Sequence, residues 1–67
     1  MTRRRWFQEH RIAWAAEMAG VYGYINRRHL ERMFGIATAQ ASADLGIAAE
    51  RGLLVYNRNL KQYEPAE

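Results

Sequence analysis

The sequence predicts a mainly α-helical chain that ends in a small β-hairpin, and three observations support this prediction. A glycine-centred corner joins two short helical segments, a longer amphipathic segment precedes it, and two β-favouring runs flank the turn-forming residues 57–59. Three helices followed by a hairpin is the order of a winged helix-turn-helix, with three helices plus a wing. We expect residues 1–67 to form a single domain of this kind, because so short a chain can bury only one small core.

The first helix is expected from Arg3 to about Ala19, because apolar side chains recur there at helical spacing. Residues 20–23 include two glycines and are expected to end the helix. Residues 24 and 25 then leave room only for a minimal strand. The side of the helix expected to cover the rest of the fold carries Phe7, Trp14, Met18 and the flanking Arg11.

The corner between the second and third helices is predicted from local rules. Asn26 is suited to cap a helix, because its side-chain oxygen accepts hydrogen bonds from free amides of the first turn, and Leu30 and Phe34 follow at helical spacing. Gly35 tolerates the left-handed conformation that ends a helix, and Ile36 is placed to fill the gap between the helices. A helix-turn-helix of this kind indicates DNA binding.

The third helix is expected to start near Thr38, with Ala41, Leu45 and Ala48 as its buried stripe. The opposite face is small and neutral, which permits close approach to a DNA groove and hydrogen bonds to base edges. The alternative is that the alanines only supply helix propensity. Asp44, at the edge of the stripe, is expected to pair with an arginine of the second helix. The residues expected to contact bases are Thr38, Ala39, Gln40, Ser42 and Ala43.

After Gly52, which is suited to follow a helix end, residues 53–56 and 60–63 predict the two strands of the wing. Basic residues at the start of the second helix and near the wing tip are placed where such proteins contact the DNA backbone or the minor groove. The alternative is that any one of them belongs only to the solvated surface. The residues expected to contact the backbone are Arg27, Arg28, Arg58 and Lys61.

Composition limits the class of function. Ten Lys and Arg against seven Asp and Glu give a net charge of +3, which favours a polyanionic partner. Without cysteine, and with two separated histidines that no carboxylate pattern completes, we expect no metal. Ser42 lacks an activating His and acidic partner, so we expect no enzyme activity, and no cofactor or small-molecule ligand is indicated. No apolar run approaches the roughly 20 residues of a membrane span, so we expect a cytoplasmic protein without membrane contact.

A second apolar stripe on the first helix predicts a homodimer. Ile12, Ala16 and Ala19 are spaced for a face separate from the one described above, which makes the helix apolar over more than the usual arc. Pairing through this stripe would bury the surplus and supply the two-fold symmetry that paired DNA half-sites require. The alternative is that a small domain simply exposes a few apolar side chains.

Several segments between Trp14 and Pro65 share a pattern with a known family. They are Gly23-Tyr24-Ile25-Asn26-Arg27, Phe34-Gly35-Ile36, Gln40-Ala41-Ser42-Ala43-Asp44-Leu45 and Leu54-Val55-Tyr56-Asn57-Arg58, followed by Tyr63. Together they resemble the N-terminal winged helix-turn-helix of WYL-domain transcriptional regulators. In that family a serine tends to cap the third helix; Ala37 stands there in this chain, so we expect Thr38 to take over as the cap.

The resemblance implies a bacterial or phage transcriptional regulator that binds double-stranded operator DNA as a dimer, often as a repressor. The helix bearing Gln40 and Ser42 would lie in the major groove. Members usually continue into ligand-sensing WYL domains, whereas this sequence stops after the wing, so a stand-alone regulator or a single domain is expected. Two other classes stay open: a winged-helix protein–protein docking module, and an interfacial membrane helix formed by the arginine- and tryptophan-bearing N-terminus.

Overall fold

The computed structural model describes residues 2–66 and contains three helices followed by an antiparallel hairpin. This architecture confirms the predicted winged helix-turn-helix. The elements are α1 (Arg3–Tyr22), α2 (Arg27–Phe34), α3 (Thr38–Glu50), β1 (Leu54–Asn57) and β2 (Gln62–Pro65).

Helix α1 is longer than predicted. It begins after Thr2, whose hydroxyl accepts a hydrogen bond from the Arg5 amide at 3.2 Å, and it ends at Gly23, which has a φ of 90°. The prediction that the helix ends from Gly20 onward is wrong, because Gly20 is an exposed residue within the last turns. The weak helix propensity of one glycine is overridden by the packing of Ala19 in the core.

The predicted corner is present in detail. The Asn26 side-chain oxygen accepts from the Arg28 amide at 3.0 Å, and the Asn26 amide donates to Nδ1 of His29 at 3.0 Å, so α2 starts with reciprocal capping bonds. Gly35 ends α2 at a φ of 65°. The expected cap at Thr38 is wrong: Ala37 is the N-cap residue, it makes no side-chain capping bond, and Thr38 is the first residue of α3.

The wing is joined to α3 and to the segment before α2 by backbone hydrogen bonds. Gly52 donates to the Ala49 carbonyl and Leu53 to the Ala48 carbonyl, the paired bonds that close a helix before a change of direction. Ile25 and Tyr63 exchange two backbone bonds of 2.8 and 2.9 Å, which form the predicted minimal strand contact. The wing is therefore attached to the chain entering α2 as well as to α3.

The wing strands begin and end one or two residues later than predicted. Their register pairs Tyr56 with Tyr63 and Asn57 with Gln62, and residues 58–61 form the turn. Asn57 Oδ1 accepts from the amides of residues 59 and 60, both at 3.0 Å. Lys61 adopts a φ of 54°, a left-handed conformation unusual for a residue with a side chain.

The core lies where the three helices meet the wing. The face of α1 that was predicted to be buried is not the most buried one. Trp14 and Met18 are only half-buried against the core, and Phe7 is 49% exposed. Four of the nine core residues are alanines, and small side chains let helices approach closely. The buried apolar residues are Ile12, Ala15, Ala19, Ile25, Leu30, Ala41, Leu45, Ala48 and Leu54.

The predicted dimer stripe needs correction. Ile12 is 1% exposed and Ala19 is fully buried within the single chain, and Ala16 is half-buried. A side chain that already packs in the monomer core cannot also contact a second copy. Two of the three predicted interface residues are therefore core residues, because α1 is rotated relative to the orientation predicted from its apolar spacing.

We predict opposite effects for alanine at two glycines. Gly20→Ala should raise the free energy of unfolding by about 0.5–1 kcal/mol, because the position is helical, exposed and has no atom near the added Cβ. Gly35→Ala should lower it by about 1–2 kcal/mol, because its φ of 65° strains a residue with a Cβ. Thermal unfolding monitored by circular dichroism measures both changes. A loss of stability in Gly20→Ala would contradict the helix bounds described here.

Candidate nucleic-acid interface

A polar groove lies between the start of α2, the middle of α3 and the wing, and we call it the basic groove. Its volume is about 370 Å³. It brings together predicted contact residues that are far apart in sequence, from both helices and the wing turn. The lining residues are Asn26, Arg27, Arg28, Ser42, Leu45, Tyr56, Lys61 and Tyr63.

Two structural features, a helix cap and a pair of backbone hydrogen bonds, set the positions of the groove cations. The Asn26 cap places Arg27 and Arg28 in the first turn of α2, where the helix dipole also favours an anion. The backbone bonds between Ile25 and Tyr63 hold strand β2 beside the entry to α2, so Lys61, two residues before Tyr63, stays at the same groove. A helix cap and a pair of backbone bonds between distant parts of the chain thus fix the basic groove, rather than long flexible side chains alone.

The outer face of α3 carries the small residues that the sequence predicted. Thr38, Ala39 and Ala43 are exposed, and Ser42 is exposed on the side of the basic groove. Since each helical residue turns the chain by about 100°, Gln40 points about 200° away from Ser42 around the helix axis. The two polar candidates therefore stand on opposite flanks of α3, with the small side chains between them.

Gln40 lies in a second depression, of about 460 Å³, between α1, the end of α2 and the start of α3. Arg4 also lines this depression, and the arginine run at residues 3–5 forms the first turn of α1. Arg58 is exposed in the wing turn and is not among the residues lining the basic groove. The structure thus gathers three of the four predicted backbone cations in one place.

Asp44 is fully buried in the interface between α1 and α3. Its carboxylate accepts from Nε and Nη2 of Arg11 at 2.5 and 3.2 Å, from Nε2 of Gln8 at 3.2 Å and from Nε2 of Gln40 at 3.0 Å. The expected arginine partner is present, but it comes from α1 and not from the second helix. Sequence reasoning missed Arg11 and Gln8 here; an acidic residue in an apolar stripe is the signal that a donor must face it.

Comparison with protein-family models places the chain in a family of regulators. The model of the BrxR transcriptional regulator winged helix-turn-helix domain matches residues 1–67. The chain belongs to this family. BrxR is a WYL-containing regulator family, so the predicted resemblance is confirmed. A search of curated proteins found no match.

Membership of the BrxR family makes this a domain of a DNA-binding transcriptional regulator rather than a member of an enzyme class. Within residues 2–66, no group of three or more His, Cys, Asp or Glu side chains could hold a metal ion. No helix of that segment combines the length and the apolar composition needed to cross a membrane.

Not every arginine of the BrxR-family domain is available to DNA. Arg51 donates to both carboxylate oxygens of Glu9 at 2.6 Å, and this hydrogen bonding lowers the pKa of Glu9 below its usual value. Arg11 is 12% exposed and paired with Asp44. In the wing, the pKa of Glu64 is lowered by hydrogen bonds, chiefly from Gln62 and to a smaller extent from Asn57. Arg11 and Arg51 are thus held in ion pairs, whereas none of the described ion pairs involves a cation of the basic groove.

We predict an acid limb in the stability of the domain. A carboxyl group whose pKa is lower in the folded state contributes stability that is present above its unfolded pKa of about 4.3 and is lost as pH falls through the folded pKa. Glu9→Gln and Glu64→Gln should each flatten the fall in melting temperature between neutral pH and pH values below about 4. Glu17→Gln is the control, because exposed Glu17 makes none of the described hydrogen bonds. Equal flattening by Glu17→Gln would contradict the assignment.

Proposed function

We propose that this domain binds double-stranded DNA sequence-specifically in the cytoplasm and acts as a repressor, with α3 in the major groove. The basic groove is the observation that carries this proposal, because it places Arg27, Arg28 and Lys61 beside α3. Cations beside a recognition helix are suited to the phosphates that border the major groove in which the helix lies. The wing would then follow the backbone or enter the minor groove, with Arg58 at its tip.

Bases would be contacted from α3. Ala39 and Ala43 lie one turn apart on the exposed face, and their short side chains leave space for close approach to the groove floor. Thr38, Gln40 and Ser42 supply the hydroxyl and amide groups that can bond to base edges. The helix offers few groups of this kind, so sequence preference would rest on a small number of base pairs.

We further propose that the protein represses transcription and binds its operator as a homodimer. A protein that occupies an operator overlapping a promoter blocks transcription without further chemistry, and a two-fold pair matches two half-sites one helical turn apart. Any pairing surface would have to exclude Ile12 and Ala19, which are buried within one chain. Sedimentation with and without duplex measures the stoichiometry directly.

A docking module is the second candidate function, and one observation favours it. A largely apolar groove of about 630 Å³ lies between α1 and α2, and its lining includes Trp14, Tyr22 and Met33. Tyr22 and Met33 are exposed, and exposed apolar side chains in a cluster often mark a protein contact. This groove also contains Arg32, which provides a matched control for the DNA-binding test below.

We predict a steep dependence of duplex affinity on salt. If a dimer makes about six phosphate contacts, the logarithm of the affinity should fall against the logarithm of salt concentration with a slope of about −5. Arg28→Ala should weaken binding to an enriched duplex and to a random duplex by similar factors, and should reduce the slope by about one unit for each bound copy. Fluorescence anisotropy at two salt concentrations measures both effects.

Arg32→Ala is the matched control, because it removes the same charge from the same helix but on the side of the apolar groove. We expect it to leave affinity and slope nearly unchanged. A slope near zero for the wild type would exclude DNA binding and favour the docking module. Equal losses in Arg28→Ala and Arg32→Ala would mean that the basic groove is not the phosphate site.

A further inference from the structure

We propose that Asp44 is a positioning residue for base recognition: held by α1, its carboxylate orients the Gln40 amide so that the Gln40 carbonyl oxygen faces the DNA. This inference rests on the proposed function, since it requires α3 in the major groove. It adds a specific role for α1 in sequence preference, although Arg11 and Gln8 are expected to touch no base.

The hydrogen bonds from α1 to Asp44 fix the orientation of its carboxylate. Asp44 is fully buried, and Arg11 approaches it side-on, with Nε on one carboxylate oxygen and Nη2 on the other. Gln8, one turn earlier on α1, donates to the same carboxylate at 3.2 Å. A buried carboxylate with charge-assisted bonds from another helix has a single favourable orientation. Asp44 is therefore a fixed acceptor in the α1–α3 interface.

This fixed acceptor determines which end of the Gln40 amide turns inward. A carboxylate paired with arginine can only accept hydrogen bonds, so the amide nitrogen must face it, and Gln40 Nε2 lies 3.0 Å from Asp44 Oδ1. Gln40 precedes Asp44 by four residues, which places the two side chains on neighbouring turns of one flank of α3. The carbonyl oxygen of Gln40 consequently points away from the core.

The outward oxygen is open to a ligand. In the described part of the chain, no donor contacts Gln40 Oε1, and no side-chain polar atom is both buried and without a hydrogen-bond partner. Oε1 is therefore exposed to solvent at the first turn of α3. Residues at the N-terminal end of a recognition helix are those that reach base edges in helix-turn-helix proteins.

An outward carbonyl oxygen selects a base by its donors. In the major groove only adenine N6 and cytosine N4 carry amino groups, whereas guanine and thymine present acceptors at the corresponding positions. Gln40 held in this way would accept from a base amino group. A freely rotating glutamine could instead turn its nitrogen outward and donate to guanine or thymine. Asp44 thus converts a side chain of mixed hydrogen-bonding capacity into one with a defined preference.

The test begins with a pool of duplexes that have a randomised central segment, enriched separately on the wild-type chain and on three variants. Gln40→Ala should abolish the preference at one base pair of the wild-type motif in each half-site. Asp44→Asn should reduce the preference at that same base pair, while the other base pairs and the affinity for random duplex change little. Glu17→Gln is the control, because exposed Glu17 lies on the same helix α1 and makes none of the described hydrogen bonds; its motif should equal that of the wild type.

Circular dichroism shows whether Asp44→Asn folds. If it does not fold, two measurements on the wild-type protein still test the inference. Removing the exocyclic amino group from the assigned base should lower the affinity at least about fivefold, whereas replacing its partner base by an analogue of equal shape should not. In the free protein, ¹⁵N relaxation of the Gln40 side-chain amide should show order close to that of the α3 backbone.

Each outcome of these experiments either supports or overturns the positioning role of Asp44. Loss of preference at the same base pair in Gln40→Ala and Asp44→Asn supports the positioning role. Four results would overturn the positioning role while leaving DNA binding intact. They are an unchanged motif in Asp44→Asn, a loss of preference at different base pairs in the two variants, a mobile Gln40 amide, and an affinity that does not change when the base amino group is removed. Failure of the wild type to enrich any motif would instead be a failure of the proposed function.

Discussion

The buried pair between Asp44 and Arg11 fixes helix α1 against α3, and the packing of the small side chains between these helices depends on it. A carboxylate withdrawn from water is costly unless donors replace the lost hydration. Within residues 2–66, the donors to Asp44 are Arg11 and Gln8 on α1 and Gln40 on its own helix. These contacts can form in only one rotational and axial setting of α1 against α3. The alanines around them tolerate several settings, since they have little shape to interlock. The polar contact therefore defines the register that the small core residues leave open.

A second constraint sets the wing. Ile25 joins the wing through two backbone bonds to Tyr63, and the residue after Ile25 caps α2. The entry to α2 and strand β2 are consequently held as one unit, so the first-turn arginines and Lys61 keep their separation. Ion pairs occupy Arg11 and Arg51 elsewhere in the fold, whereas the described ion pairs do not involve the cations at this junction.

The sequence was sufficient for features that depend on near neighbours. The Asn26 cap and the Gly35 corner are determined within one turn of helix, and the hairpin follows from residues 53–63, so these predictions were correct. The orientation of α1 was not predictable from its spacing, because the stripe of Phe7, Trp14 and Met18 and the stripe that contains Ile12 are both apolar. Only the position of the partner surface decides between them. The same reason accounts for the partner of Asp44, since its arginine is 33 residues away in sequence.

The two polar flanks of α3 are supported by different parts of the fold, and under the proposed function this division would separate two properties of DNA binding. Gln40 is held through Asp44 by α1, whereas Ser42 faces the groove that α2 and the wing build. A disturbance of the α1–α3 contact would reach the Gln40 amide without moving the groove cations, and would alter which bases are preferred. A disturbance at the junction of Ile25 and Tyr63 would displace the cations and alter affinity for every sequence. If α3 lies in the major groove as proposed, these separate supports would let base preference and overall affinity change independently, through substitutions outside the surface that contacts DNA.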